Sequence, residues 1–375
     1  MFFGDAMVEI SVIMPVYNCE DFLDESINSI LNQTFGDFEF ICVDDGSTDR
    51  SLEMLEKYEK TDDRMVVYSQ ENQGGGIARN FALTKATGKY IYFMDADDAM
   101  DLTAFEETYK VAEEKNPDFL LFKAINYNDV EDRYYETEYF SMNKIYDIVG
   151  DELFHYKDIG DLLFRMSVTP WGKLYNRQFI MDTGAEFASG MFHDNKFFWK
   201  ILLSSKKLLF YNKSLYVRRI HPDSLQSSHD KKLFDLFGIM DIIFSYFRQF
   251  NQFEEYRYSL YNYKIDALFY KFYQVSDDLK QEFLDRYKTE LLKIAECESD
   301  DTLKEKLNRK NRGIYEDVLE SETYREFILL QKNRRLTDKI SGLESQNRKL
   351  KKLNDEILNS KSWKITEPLR KIRNR

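Results

Sequence analysis

A chain of 375 residues is too long for one ordinary domain and is typical of two or three folding units. Hydrophobic residues make up 43% of it, including 30 Phe and 25 Tyr, which is enough for a large core and excludes predominant disorder. The net charge of −13 argues against a general nucleic-acid-binding protein, which would need a basic surface.

The charge is unevenly distributed along the chain. Residues 331–375 contain 14 Lys or Arg and 5 Asp or Glu, a net charge of +9, which leaves −22 for the remaining residues. Such asymmetry indicates that the C-terminal tail contacts an anionic surface.

The cysteines and the N-terminal sequence bear on the cellular compartment. Cys19, Cys42 and Cys297 form no CxxC pair, which is typical of proteins in a reducing compartment. The chain starts without the basic and apolar regions of a signal peptide, and no run approaches the roughly 18 apolar residues of a membrane span. We therefore expect a cytoplasmic protein, or one that lies on the cytoplasmic face of a membrane.

Short apolar runs and helical patterns alternate through residues 9–125. The apolar, β-rich runs predict strands at 10–17, 38–43, 65–68, 90–94 and 119–122. Apolar residues on one helical face predict helices at 21–31, around 52–58, up to Ala86, and at 105–114. This alternation predicts an α/β fold in which helices cover both faces of a mostly parallel sheet. Ligands of such sheets bind beyond the carboxyl ends of the strands.

The second half of the chain has a helical pattern. Residues 229–328 are rich in aromatic residues and predict an α-helical accessory domain. A heptad follows at 329–358, with Leu329, Leu336, Leu343, Leu350 and Ile357 at d and Asn333, Ile340, Asn347 and Asn354 at a. Repeated Asn at a favours a short parallel coiled coil that joins copies of the chain into a homo-oligomer. The alternative is a single amphipathic helix packed on its own domain.

Residues 359–375 form a basic amphipathic tail. Six basic residues accompany Trp363, Ile365, Leu369 and Ile372 in this segment. Basic residues with an aromatic anchor suit the interface of an anionic membrane, so one prediction is a peripheral membrane contact. A docking tail for a protein partner, or for the chain's own body, is the alternative.

Two carboxylates, Asp95 and Asp97, follow the predicted strand at 90–94 on a tight turn. Carboxylates at i and i+2 can reach one hard cation and the diphosphate and ribose beside it, and Mg²⁺ or Mn²⁺ prefers oxygen ligands. Most Asp-x-Asp triplets are solvated loops, but the placement at the carboxyl end of a strand favours a ligand site.

Two further loops follow neighbouring strands. Asp45 can accept a hydrogen bond from a base N–H where Gly46 permits close approach, and a plain helix-capping turn is the alternative. Residues 72–80 offer backbone N–H groups at a helix start together with Arg79, which suits an anion. No Gly-Lys-Ser/Thr follows, so this segment is not a P-loop.

A series of segments resembles, in order, the motifs of family-2 glycosyltransferases of the GT-A fold, of the bacterial and archaeal surface-polysaccharide type. They are Ser11–Asn18, Val43–Asp49, Asn72–Asn80, Asp95–Asp98, Pro170–Tyr175, Gly190–Asp194 and Tyr216–Ser224. The resemblance covers 9–228 and implies a Rossmann-like GT-A domain at 1–228. It implies an inverting transferase that uses Mn²⁺ or Mg²⁺ to move a sugar from a nucleotide-sugar donor, often a UDP-sugar, to a glycan or lipid-linked acceptor hydroxyl.

The resemblance also implies roles for individual residues. Asp194 would be the general base, and Asp97 and His221 would hold the metal. Asp45 would bind the base of the nucleotide, and Asp95 would lie at the ribose or the donor sugar. The expected nucleotide-sugar contacts are Pro15, Tyr17, Asp45, Arg79, Asp95, Arg219 and Ser224.

One segment departs from the family's pattern, because the Glu that usually precedes the base is His193 here. His193 could hold a different acceptor group, although an isolated His is more often structural. Trp171 could be a wall under a sugar, but we expect it to pack in the core, with Lys173 more exposed. Trp199 is also expected in the core.

Two other functions fit parts of the pattern. A catalytically inactive GT-A domain could act as a scaffold through its coiled coil, but Asp95, Asp97 and Asp194 are all intact. A nucleotidyltransferase has a similar sheet, but it usually carries a Gly-rich loop with Arg and Lys after the first strand. This chain has Cys19-Glu-Asp there.

Overall fold

The computed structural model describes residues 8–221 and 230–360. The chain divides into two compact units, the first up to Val275 and the second from Ser276 onward. Among the described helices, none is long and apolar enough to cross a lipid bilayer.

Four parallel strands form the first half of the sheet in the first unit. They are β1 (Ile10–Val16), β2 (Phe38–Asp44), β3 (Met65–Ser69) and β4 (Tyr90–Phe93), joined by α1 (Leu23–Leu31), α2 (Ser51–Glu59) and α3 (Gly75–Leu83). Their spatial order is β3-β2-β1-β4. The side chains of β1 and β4 are almost all buried, which explains why both strands are continuously apolar. Each of the four predicted strands differs from the observed one by a single residue.

The second half of the sheet is mixed. Its elements are β5 (Ala99–Met100), α4 (Ala104–Lys115), β6 (Phe119–Asn128), β7 (Arg133–Tyr135), β8 (Lys173–Asn176) and β9 (Leu208–Ile220). Strand β8 lies between β4 and β6 and runs antiparallel to both, whereas β6 and β9 are parallel. The α/β prediction is confirmed, with the correction that the sheet is mixed rather than mostly parallel, because β8 runs antiparallel to both of its neighbours and β5 runs antiparallel to β9. The reason is that the chain turns back after β6 and re-enters the sheet in the opposite direction as β8.

Helices complete the first unit. They are α5 (Glu138–Ser141), α6 (Asn143–Val149), α7 (Arg177–Thr183), α8 (His193–Ser204), α9 (Asp235–Gln249) and α10 (Phe253–Phe272), with 3-10 helices at Tyr156–Arg165 and Lys231–Phe234. Helix α9 packs on α8, where the ring centroids of Trp199 and Phe247 are 5.5 Å apart. The first unit therefore extends beyond residue 228, where we expected a domain boundary. Trp199 is fully buried, as predicted.

The second unit is helical in its described part. It consists of α11 (Lys280–Cys297), α12 (Asp300–Lys306), α13 (Arg309–Glu320) and α14 (Tyr324–Asn359). Near its start α14 binds α13, since Gln331 and Arg334 both donate to the buried carboxylate of Asp317. The coiled coil at 329–358 remains a prediction. The predicted tail at 359–375 lies outside the described residues from 361 onward.

Candidate active site

The predicted nucleoside contacts lie at the carboxyl ends of β1 and β2. The carboxylate of Asp45 is buried and accepts hydrogen bonds from Gln70 Nε2 at 2.7 Å and from the backbone N–H groups of Gln73 and Gly74 at 2.9 and 2.7 Å. Asp45 therefore fixes the loop that precedes α3. Pro15 lies beside the start of this helix, and Tyr17 is 47% exposed.

Arg79 on α3 is buried and reaches the loop that follows β4. One terminal amino group of its guanidinium donates to Oδ1 of Asp95, and the indole N–H of Trp171 donates to Oδ2 of Asp95 at 3.0 Å. Burial raises the pKa of Asp95 above its usual range, although the Arg79 guanidinium acts in the opposite direction. Both carboxylate oxygens of Asp95 thus have protein partners.

The segment that contains β8 packs beside the loop that follows β4. Trp171 is 4% exposed and stacks on Tyr216, with ring centroids 4.6 Å apart, so its expected core packing is confirmed. The expectation that Lys173 is more exposed is wrong, because β8 is an interior strand between β4 and β6 and buries this side chain. Lys173 Nζ donates to the carbonyl of Thr169 at 2.6 Å, and burial lowers its pKa to about 7.

Three carboxylates could hold a cation, since ligand atoms of Asp95, Asp97 and Asp98 lie within 4.8 Å of one another. Asp98 is not free for this role, because it accepts hydrogen bonds from the Tyr216 hydroxyl at 2.7 Å and the Arg219 backbone N–H at 2.8 Å. Burial, together with the neighbouring carboxylates, raises the pKa of Asp98 well above its usual range. Asp97 is the carboxylate of this cluster that is left for an ion.

Asp97 and His221 form the part of the cluster that fits a divalent ion. Oδ2 of Asp97 and Nε2 of His221 are 3.1 Å apart. Two adjacent ligands of an octahedral Mg²⁺ or Mn²⁺ are separated by about 3 Å when each bond is about 2.1 Å. The His221 ring lies against Phe22 with centroids 4.4 Å apart, and Nδ1 is buried with no partner among the described residues. The donor atoms therefore suit such an ion.

Arg219 binds the segment 95–98, which follows β4 and is called the acidic loop below. Its guanidinium binds Asp129 at 2.5 Å and also Glu25, and its Nε donates to the carbonyl of Asp97 at 3.1 Å. The expected contact of Arg219 with a diphosphate remains a prediction. Ser224, expected beside it, lies outside the described residues.

Asp194 stands in the first turn of α8, on the other side of Arg79 from Asp95. Its Oδ1 is 3.0 Å from Nε2 of His193 and 3.9 Å from a terminal amino nitrogen of Arg79. Burial acts to raise the pKa of Asp194, but His193, Arg79 and Lys173 outweigh it and hold that pKa below its usual value. An ionised carboxylate is thus maintained at a helix N-terminus, where negative charge is favoured.

Some residues of the site were not identified from the sequence. Gln70 and Gln73 anchor Asp45, and Asp98 ties the acidic loop to Tyr216. The sequence did contain an indication that Lys173 is buried, because this residue stands between apolar residues in the run Trp171–Tyr175. The contacts of Gln70 and Gln73 with Asp45 could not be predicted from the sequence, because any polar residue is compatible with a loop.

The chain is similar in sequence to known glycosyltransferases. The model of the family described as "Glycosyl transferase family 2" matches residues 11–169. The chain is 31% identical to glycosyltransferase GlyG of Streptococcus pneumoniae serotype 4 over 62% of this chain and 77% of GlyG. It is 33% identical to glycosyltransferase GlyA of the same organism over 58% of this chain, and the match spans 31% of GlyA.

Two further similarities concern an enzyme of polymer synthesis and a solved structure. The chain is 42% identical to the poly(ribitol-phosphate) beta-glucosyltransferase of Bacillus spizizenii over 31% of this chain and 19% of that enzyme. The crystal structure of S. aureus TarS 1–349 in complex with UDP-GlcNAc superposes with a TM-score of 0.70, over 88% of this chain and 92% of TarS 1–349. At 19% sequence identity this likeness shows the fold alone.

Proposed function

Because this chain belongs to the family-2 glycosyltransferases, we propose that it transfers a sugar from a UDP-sugar to an acceptor hydroxyl and inverts the anomeric centre. The observation that carries the proposal is the position of Arg79 between two carboxylates. One end of the guanidinium binds Asp95 in the acidic loop, and the other lies 3.9 Å from Asp194. The candidate donor site and the candidate base therefore both lie beside the buried guanidinium of Arg79.

The donor side of the site is built from the strand ends. Asp97 and His221 would hold Mn²⁺ or Mg²⁺, and Asp45, Pro15 and Tyr17 would line the nucleoside pocket. When bound, the divalent ion offsets negative charge on the departing diphosphate. Arg79 keeps Asp95 in a fixed orientation, so that the acidic loop does not need to reorganise when the donor binds.

The acceptor side depends on Asp194. Its carboxylate takes the proton of the acceptor hydroxyl while that oxygen forms a bond to the anomeric carbon and the bond to the diphosphate breaks on the opposite face. One displacement of this kind inverts the anomeric centre and needs no carboxylate nucleophile. The lowered pKa of Asp194 keeps the group ionised, which is the state that a base requires.

The acceptor and the setting are proposed from the relatives. TarS 1–349 was solved with UDP-GlcNAc, and the Bacillus spizizenii enzyme acts on a poly(ribitol-phosphate), so we propose a glycan or lipid-linked acceptor in cell-surface polysaccharide synthesis. We further propose that the enzyme works in the cytoplasm and joins copies through α14. Its basic tail would provide a peripheral membrane contact.

The first experiment is a donor screen that measures UDP release from a panel of UDP-sugars with Mn²⁺. We expect slow hydrolysis of at least one donor and loss of that activity in EDTA. If no sugar nucleotide is turned over while UDP still binds, the chain is a scaffold and the proposed activity is wrong.

Asp194→Asn then tests the base with the active donor. The substitution keeps the shape of the side chain, so UDP affinity should be unchanged while the turnover rate falls on the order of 10²–10⁴-fold. Asp182→Asn is the matched control, because Asp182 is exposed on α7 and accepts a local hydrogen bond from Gln178. If Asp194→Asn keeps the turnover rate of the wild type, the general base is another residue.

A further inference from the structure

His193 contacts three groups near the proposed base and has no role in the chemistry proposed so far. Its Nε2 is 2.8 Å from a terminal amino nitrogen of Arg79 and 3.0 Å from Oδ1 of Asp194. Its Nδ1 is 3.0 Å from the carbonyl of Gly190. The side chain is only 21% exposed, so water reaches little of it.

The contacts determine where the protons of the neutral ring lie. A carbonyl can only accept, so Nδ1 carries the hydrogen and donates it to Gly190. Arg79 can only donate, so Nε2 of the neutral ring presents its lone pair to the guanidinium. The same lone pair stands next to Asp194, which makes it the nearest place for a proton that leaves this carboxylate.

Two features of the backbone hold the His193 ring beside Arg79 and Asp194. A Cβ on Gly76 would lie 2.9 Å from Cβ of His193 and 2.4 Å from the carbonyl oxygen of Ala188, so α3 can approach the ring only with glycine at this position. Phe192, directly before His193, has a φ of 64°, a left-handed conformation that costs energy for a residue with a side chain. Both features keep the imidazole between α3 and the start of α8.

We propose that His193 is a positioning residue that acts through Asp194 and accepts from it the proton of the acceptor hydroxyl. In the neutral ring, Nε2 accepts from Arg79 and leaves Oδ1 of Asp194 without a hydrogen bond. After transfer, the O–H bond formed on Asp194 breaks and an N–H bond forms at Nε2 in place of the hydrogen bond from Arg79, so His193 becomes an imidazolium that donates to the ionised Asp194. This inference rests on the proposed glycosyl transfer.

The charges around the ring favour this direction of proton movement. Burial acts to lower the pKa of His193, but Asp194 outweighs burial and Arg79 and raises that pKa above 6.5, whereas the pKa of Asp194 is held below 3.8. Lys173 faces Asp194 from β8, and Asp95 shares Arg79 from the acidic loop. Below its pKa, His193 is already protonated and cannot accept, so the transfer rate should fall as the pH drops through that value.

Nuclear magnetic resonance of the histidine rings tests the coupling without any donor. The 375-residue chain has 4 His, and a His193→Gln spectrum assigns the signal of interest. In the wild type this ring should titrate above 6.5, and in Asp194→Asn its pKa should fall by at least about one pH unit because the neighbouring negative charge is gone. An unchanged titration in Asp194→Asn would overturn the proposal, whether or not the chain transfers a sugar.

The pH profile of the turnover rate tests the proton step with the active UDP-sugar. The wild type should lose about tenfold in rate for each pH unit below the pKa of His193. His193→Gln should lower the plateau and remove this acid limb, and His193→Glu should move the limb to lower pH because a carboxyl group titrates near 4.3. The matched control is His155→Asn, since His155 caps a 3-10 helix and an Asn can accept the same bond from the Lys157 N–H.

The outcomes separate the two proposals. If the acid limb persists unchanged in His193→Gln, it belongs to another group and His193 is not the proton acceptor. If the wild type turns over no donor, the proposed glycosyl transfer has failed, and the ring titration alone decides whether His193 is coupled to Asp194. Equal UDP affinity in all variants shows that the site is still folded.

Discussion

Nε2 of His221 lies 3.1 Å from Oδ2 of Asp97, although 124 residues separate them in the sequence. Strand β9 carries His221 back beside the acidic loop because β5, directly after that loop, pairs antiparallel with β9. Two unlike ligand atoms at this separation are compatible with the divalent ion that we propose for this site.

Asp97→Asn and His221→Gln should each weaken the Mn²⁺-supported binding of UDP by at least about tenfold. In EDTA both variants should bind UDP as weakly as the wild type does, because only the contribution of the metal is removed. Calorimetry with and without Mn²⁺ measures the difference. Asp101→Asn is the control, since Asp101 lies outside the carboxylate cluster and an Asn still accepts from the Thr103 N–H. A wild-type response of Asp97→Asn to Mn²⁺ would exclude Asp97 as a ligand.

We expect opposite effects from substitutions at Gly75 and Gly76, the neighbouring glycines at the start of α3. A Cβ on Gly76 would lie 2.4 Å from the Ala188 carbonyl oxygen, whereas a Cβ on Gly75 would lie 3.4 Å from its nearest neighbour, a terminal nitrogen of Arg79, which is an ordinary van der Waals distance. Gly76→Ala should therefore displace His193 and lower both turnover and stability, by about 1–3 kcal/mol of unfolding free energy. Gly75→Ala should be neutral or slightly stabilising, since Ala is the better helix former. Urea unfolding and turnover measured together check both, and equal effects of the two substitutions would contradict the packing.

Lys173 should make the stability depend on pH. Its pKa is lowered from 10.5 to about 7 by burial, so between these values the unfolded chain binds a proton that the folded chain does not. The unfolding free energy contributed by Lys173 therefore rises with pH over this range. Relative to Lys173→Met, the wild type should gain about 2 kcal/mol between pH 7.5 and pH 9, measured by urea unfolding. Lys60→Met, at an exposed position, should show no such trend, and a constant difference for Lys173→Met would mean that the lysine keeps its proton.

The first half of the fold was predictable because its signals are local. Continuous apolar runs such as β1, β2 and β4 are typical of buried parallel strands, and the residues that follow them fall at one edge of the sheet by topology alone. Asp97 could be placed for this reason before any tertiary contact was known.

The second half of the site depends on packing between distant segments. The position of β8 between β4 and β6 buries Lys173 and brings Trp171 to Asp95, and a four-residue strand carries no signal of which strands will flank it. Likewise, the contact of Arg79 with His193 joins residues 114 apart in sequence. Motif spacing identified these residues, but only the three-dimensional structure shows which atoms meet.

The last prediction concerns α14, whose apolar stripe is uncovered by the described residues of its own unit. Ile340 and Leu343 are each 56% exposed and Leu350 is 64% exposed, whereas Phe327 near the start of the helix is fully buried. A row of apolar side chains at heptad spacing loses contact with water if the same row of a second chain packs against it, and Asn at a positions fixes the register of such a pair. The full chain should therefore have at least twice its formula mass of 44.9 kDa in light scattering.

Leu343→Glu should disperse this assembly, because a charge at a d position would be buried without a partner. Ser341→Glu adds the same charge at an exposed b position of the same helix and should leave the mass unchanged. Turnover of a soluble donor should be equal in both variants, since the residues of the proposed active site lie in the other unit. An identical mass for the wild type, for Leu343→Glu and for a chain truncated at residue 328 would show that α14 is not the element that joins the copies.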